Sequence, residues 1–218
     1  YEKIHLPEAF NNEIINAVKF LNKLEFLTLP DEGFNSTTIS QLTKENLSLK
    51  GILATEINEC NEILMSYVIN NNILEDLTPI EIVPILSLFI DDKKNDNIFI
   101  PENLPENIQF LIKDLIKIDE EFDILASQYY TPYNSSLNTG FTEIVFEWSN
   151  GKSLKEITNK YEIYEGNFIR NMQKINNICN ELIEIYNILN NHIMVKKLLE
   201  IEKLLIKDIV TFVSLYIT

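Results

Sequence analysis

The chain has 218 residues, of which 45% are hydrophobic and 23% charged, a composition that builds a core and admits one large domain, or one domain with the remnant of another. A formal net charge of −15 argues against a free-standing nucleic-acid binder, because Lys and Arg supply most of the affinity for phosphate. The acidity is uneven: residues 1–150 hold 9 Lys and Arg against 25 Asp and Glu, and residues 151–218 hold 9 against 8, so a surface that meets a polyanion is expected in the last third.

Taken in chain order, the periodic segments have helical spacing. Residues 8–24 put Phe10, Ile14, Val18 and Leu21 on one stripe and read as an amphipathic helix. A polar, irregular connector follows, with room for a short hairpin, and the composition shifts near residue 48. Residues 54–72 are expected to form the next helix, with Ile57, Cys60, Ile63, Leu64 and Val68 inward. Thr78-Pro79-Ile80-Glu81 then supplies a helix start: Thr as N-cap, Pro in the first turn and Glu three residues on to complete a capping box. The helix it opens contains Pro84, which removes a backbone donor and bends the segment. A loop with two prolines leads to a helix over 106–130, and from Thr139 three or four helices run nearly without pause.

One short motif raises a question of chemistry. Gly151-Lys152-Ser153 resembles the end of a nucleotide-binding loop, which needs Gly-x-x-x-x-Gly-Lys-Ser/Thr so that successive backbone N–H groups turn onto phosphates. Five residues before Gly151 stands Phe146, so the first glycine is missing. Phe141, Ile144, Val145 and Trp148 instead form a helix stripe, Gly151 falls where a helix end wants a left-handed residue, and Ser153 to Glu156 is a second Ser-x-x-Glu capping box. Gly151 therefore ends one helix and Ser153 starts the next, with Lys152 in the turn.

A short helix over 153–161, a turn and a long helix from 166 to about 191 have helix-turn-helix spacing. Phe168, Met172, Ile175, Cys179, Leu182, Tyr186 and Leu189 form the apolar stripe of the long helix. Its other face carries Arg170, Gln173, Lys174 and Asn177, with no acid until Glu181. Such groups bond phosphate or base edges, and they also solvate any amphipathic helix; composition alone favours solvation.

Neither a catalytic nor a metal site is expected. His5 and His192 have no Ser or Asp arrangement around them, Cys60 and Cys179 read as buried thiols, and Asp91, Asp92 and Asp96 complete no calcium loop. The apolar run 209–217 is far short of the ~20 residues that span a bilayer.

Five segments carry a family resemblance: "LSLKGILATEI", "NNNILEDLTPIEIVPILSLFIDD", "EIVFEWSNGKSLKEI", "YEIYEGNFIRNMQKI" and "KDIVTFVSLYI". In order and spacing, residues 48–218 resemble the DSHCT domain that ends the DExH RNA helicases of the superkiller and TRAMP type, and residues 1–47 look like the tail of the winged-helix region that precedes it. The resemblance implies an all-α bundle beside two RecA-like motor domains of the same polypeptide, its long ratchet helix guiding single-stranded RNA. It implies ATP and magnesium in the motors and none in this chain, a link to an exosome-type RNA decay complex, no membrane, and an intracellular location with nucleus and cytoplasm both open. It assigns RNA contact to Arg170 and Lys174, and Gln173 and Asn177 of the same polar face are expected to share in it. Where the family has arginine this chain has Lys174, where it has an acid this chain has Asn177, and the family's Lys-Gly-Arg is Lys50-Gly51-Ile52. Two other readings remain open: an acidic helical module that docks a basic partner, and a helix-turn-helix DNA-binding module.

Overall fold

The computed structural model describes residues 8–29, 40–90, 99–134 and 137–206. His5, the acids Asp91, Asp92 and Asp96, part of the connector, the Phe10 side chain and the closing segment 207–217 lie outside that set. Among the described residues the fold is all-α. Its β content is one isolated antiparallel bridge between Leu27 and Leu47, and a 3-10 turn spans Lys44–Asn46.

At the centre is the helix opened by Thr78. This helix, α4, spans Pro79–Ser87, and Ile82, Val83, Pro84, Ile85 and Leu86 are all buried, so it is enclosed on every side. The Thr78 N–H and hydroxyl both reach the Glu81 carboxylate, at 2.9 and 2.7 Å, which fixes the first turn. Four helices pack around α4: α5 (Glu106–Gln128), α6 (Thr142–Ser149), α8 (Glu165–Ile188) and α9 (His192–Ile206). The short α7 (Leu154–Tyr161) joins α6 to α8. The helix α1 (Glu8–Lys23) contributes Val18 and Phe20 to the buried set, with Ile14 and Leu21 half-buried.

Of the residues 54–72 expected as one helix, only α3 (Glu62–Asn70) and the last residue of an earlier short helix, α2 (Leu49–Ala54), are helical, and residues 55–61 form a loop between the two. Asn61 has extended backbone and its side chain accepts the Leu64 N–H at 2.9 Å, so α3 starts there instead of continuing α2. Ile57, Leu64 and Val68 are nonetheless buried, and Cys60 and Ile63 pack half-buried against the core. The helix predicted from 166 to about 191 ends earlier, at Ile188. Asn190 takes φ 56°, and the Asn191 side chain caps α9 by accepting the Met194 N–H at 3.1 Å.

Across residue 48 the chain is stitched by polar contacts. Ser48 donates its N–H to the Phe26 carbonyl at 3.0 Å and its hydroxyl to the Glu25 carbonyl at 2.7 Å. Lys50 Nζ donates to the Leu24 carbonyl at 2.8 Å and lies 4.5 Å from the centre of the Phe26 ring, which gives this lysine a structural task. Burial lowers its pKa from the ordinary value. Gly51 is required by contact: a Cβ there would stand 2.2 Å from the Phe26 carbonyl oxygen.

Gly51→Ala is accordingly expected to push the 24–29 segment off α2 and to cost about 1–3 kcal/mol, as other overpacked sites do. Urea denaturation compared with the parent chain measures it; an unchanged midpoint would mean that the segment moves freely.

Candidate nucleic-acid interface

The Gly-Lys-Ser motif forms a helix end and a helix start. Gly151 has φ +100°, its N–H meets the Trp148 carbonyl at 2.9 Å, and the Lys152 N–H meets the Glu147 carbonyl at 3.2 Å, the bond pair of a Schellman turn. Two residues later the Ser153 N–H donates to the Glu156 carboxylate at 2.9 Å and the Glu156 N–H returns to the Ser153 hydroxyl at 3.4 Å. Lys152 is exposed between them.

Ile157 of α7 is buried and Leu154 and Tyr161 pack half-buried against the core, and polar contacts add to this small apolar footing. Lys160 supplies them: its Nζ lies 2.8 Å from Glu147, 3.1 Å from Glu143 and 3.0 Å from the Tyr161 hydroxyl. Those bonds, Glu147 first, raise the lysine's pKa above its ordinary value. Burial pushes the Glu143 carboxyl up, and hydrogen bonds from Asn103 and Lys160 outweigh it and hold the group below 4.5. Glu143 and Glu147 lie on α6, 17 and 13 residues before Lys160, and Asn103 lies 40 residues before Glu143, so helical spacing within α7 does not reveal these partners.

Glu162 turns the chain in the left-handed region at φ 50°, and α8 begins at Glu165. Its first turns are fixed by aromatic packing: Phe168 lies 5.1 Å from Trp148 and 5.8 Å from Phe141, centre to centre. The Trp148 indole N–H donates to the Leu204 and Leu205 carbonyls of α9 at 3.1 and 3.3 Å. Phe168, Met172, Ile175, Cys179, Leu182 and Tyr186 are buried as the stripe requires, and Leu189 is half-buried. The Cys179 thiol donates to the Leu198 carbonyl at 3.3 Å, and burial pushes its pKa up to about 12, so it is an inert core group.

The opposite face holds the four candidate residues. At 3.6 residues per turn Arg170, Gln173, Lys174 and Asn177 lie within an arc of about 100° over about 10 Å of helix. Arg170, Gln173 and Asn177 are exposed and Lys174 is half-buried. Glu181 follows one turn later in the same arc, with its carboxylate engaged elsewhere: it accepts the N–H groups of Asn58 and Glu59 at 3.1 Å each. In the sequence Glu181 stands out only as the first acid after an acid-free stretch; its partners lie 123 and 122 residues away and leave no local signal. Lys152, also exposed, belongs to a separate cleft with Glu147, Glu156, Asn159 and Lys160.

Among the described residues no group of His, Cys, Asp and Glu is placed to hold a metal ion. No helix among them is long and apolar enough to cross a membrane.

Residues 44–213 match the DSHCT (NUC185) domain. Similar proteins include the DExH-box ATP-dependent RNA helicase DExH11 of Arabidopsis thaliana, 28% identical over 79% of this chain and 13% of that protein. The antiviral helicase SKI2 of Saccharomyces cerevisiae is 28% identical over 79% of the chain and 14% of its own length. The exosome RNA helicase MTR4 of Homo sapiens is 23% identical over 78% of the chain and 17% of its own length. The chain thus spans less than a fifth of these relatives.

The carboxyls of Glu81, Glu143 and Glu156 are all held below 4.5, Glu81 chiefly by Asn107 and Thr78, and Glu156 by Ser153. Below their ordinary value the unfolded chain binds more protons than the folded one. Their contribution is therefore present above about pH 4.5 and is lost as pH falls through the folded values. Urea midpoints are expected to hold steady from neutral pH down to that point and then to fall. The triple variant Glu81→Gln, Glu143→Gln, Glu156→Gln should start lower at neutral pH and lose less on acidification.

Proposed function

The chain belongs to the DSHCT domain family, and from that premise we propose that it is the C-terminal helical part of an ATP-dependent RNA helicase, with α8 as the ratchet helix that guides single-stranded RNA past motor domains of the same polypeptide. The observation that carries this reading is the face of α8. In a chain of net charge −15, two cations and two amides share one side of a helix whose next acid is already bound by backbone N–H groups. Cations and amides on a rigid helix suit a strand that must slide, since they bond phosphate and sugar without fixing a base sequence. Lys174 offers a point charge where a guanidinium would offer a planar fork, which favours phosphate contact over bidentate base contact.

The remaining parts of the proposal follow from the same premise. Residues 1–47 are the tail of a winged-helix region, residues 48–218 the helical domain, and ATP and magnesium belong to the motors. The parent protein works in RNA processing or decay, with an exosome-type complex as partner.

Fluorescence anisotropy with single-stranded RNA, duplex DNA and a basic peptide, each at two salt concentrations, tests the reading. The chain should prefer single-stranded RNA. Arg170→Ala with Lys174→Ala should weaken that binding at least roughly tenfold, since hydrogen bonds to charged groups contribute about 1.5–3 kcal/mol each. The slope of log affinity against log salt should become shallower by about 1.4, at about 0.7 per contact. Arg170→Ala alone should leave stability within about 0.5 kcal/mol of the parent, as for exposed positions generally. Preference for duplex DNA would favour a helix-turn-helix DNA-binding module, and binding to the basic peptide alone an acidic interaction module. A second expectation is that the chain by itself hydrolyses no ATP; turnover above background would remove the division of labour proposed.

A further inference from the structure

Glu181 is the residue of α8 whose role the proposed RNA contact does not explain. It lies in the same arc as Arg170, Lys174 and Asn177, one turn beyond Asn177. There an exposed acid would oppose a polyanion; instead the Asn58 N–H donates to both of its oxygens and the Glu59 N–H to one, all at 3.1 Å. Two successive backbone donors converging on one carboxylate satisfy its charge and leave that stretch of loop backbone lying against α8.

The loop so held is the one that separates α2 from α3. Ile57 anchors it in the core, the Asn61 side chain ties its far end to the Asn134 carbonyl at 2.8 Å, and Glu181 takes the backbone between these two points. Glu56 and Glu59 are exposed on this loop. A strand that follows the α8 face from Arg170 meets, about 16 Å further along the axis, a bound loop carrying two acids.

We propose that Glu181 is a positioning residue: by gripping the Asn58 and Glu59 N–H groups it sets the 55–61 loop across the end of the α8 face, and so confines nucleic-acid contact to the first half of the helix. The inference rests on the RNA reading of α8 and adds a boundary to it. The strand crosses the helix over about two turns and leaves before Glu181. The boundary is built by a backbone contact, so it depends on an acceptor at position 181 more than on a charge there.

The 218-residue chain, its Glu181→Ala and Glu181→Gln variants and the Arg170→Ala, Lys174→Ala pair test it. Two readouts are compared: amide hydrogen exchange at Asn58 and Glu59, and affinity for oligouridylates of increasing length. In Glu181→Ala protection at both amides should be lost, and the length at which affinity levels off should shift to longer oligonucleotides while the shortest ones bind as before. Glu181→Gln keeps an oxygen for the two donors and should retain both the protection and the parent length dependence. Unchanged protection in Glu181→Ala overturns the proposal. So does an unchanged length dependence, or a uniform loss at every length with a lowered Tm, while the Arg170, Lys174 pair still weakens binding. If that pair leaves binding intact, the RNA reading falls and the boundary with it.

Discussion

A nine-residue helix that is apolar on every side has no stable place at a surface, and it is too short to persist alone. The helix Pro79–Ser87 is of this kind, and the rest of the fold is the shell that encloses it. Its start is fixed by Thr78, Pro79 and Glu81, its interior lacks one backbone donor at Pro84, and its walls are α5, α6, α8 and α9. Because α8 and α9 form one wall as a hairpin, the inner stripe of α8 is committed to α4 and α9, and its outer face is left to the surroundings. The position of the candidate interface is therefore a consequence of how the central helix is buried.

The acidity of the chain is handled in a similar way. Several carboxylates serve as internal acceptors: Glu81 and Glu156 close capping boxes, Glu143 and Glu147 hold Lys160, Glu75 receives the Asn191 amide, and Glu181 holds a loop. Each engaged carboxylate keeps its charge and uses it to hold a neighbouring element in place. An anion in contact with Arg170 would lie within the Debye length of about 10 Å, whereas charges farther away on the molecule are screened from it by salt.

What could be read from the sequence was what depends on neighbours within a turn or so. The two capping boxes, the Gly151 helix end and the stripe from Phe168 to Tyr186 are patterns of spacing, and each reappears as hydrogen bonds or burial at the residues expected. The loop at residues 55–61, which breaks the helix expected over 54–72, was not legible. The apolar positions there keep helical spacing, and what stabilises the non-helical loop comes from Asn61, a modest local cap, and from Glu181, more than a hundred residues away. The Lys160 cluster and the contact of Lys50 with the Leu24 carbonyl were missed for the same reason, since both close over long sequence separations. The four residues of the candidate interface share a face because helix geometry dictates it.

The bond from Trp148 to the carbonyls of Leu204 and Leu205 has a consequence for how the protein is made. It joins the middle of the chain to the last turn of α9, and Lys197 likewise reaches back to the Leu77 carbonyl at 2.8 Å. A ribosome releases the central helix long before either partner exists. At about 5–20 residues per second the interval from Pro79 to Ile206 lasts roughly 6–25 s. For that time a segment with Ile82, Val83, Ile85 and Leu86 in close succession has only part of its shell. The last wall around these side chains closes only when α9 is completed.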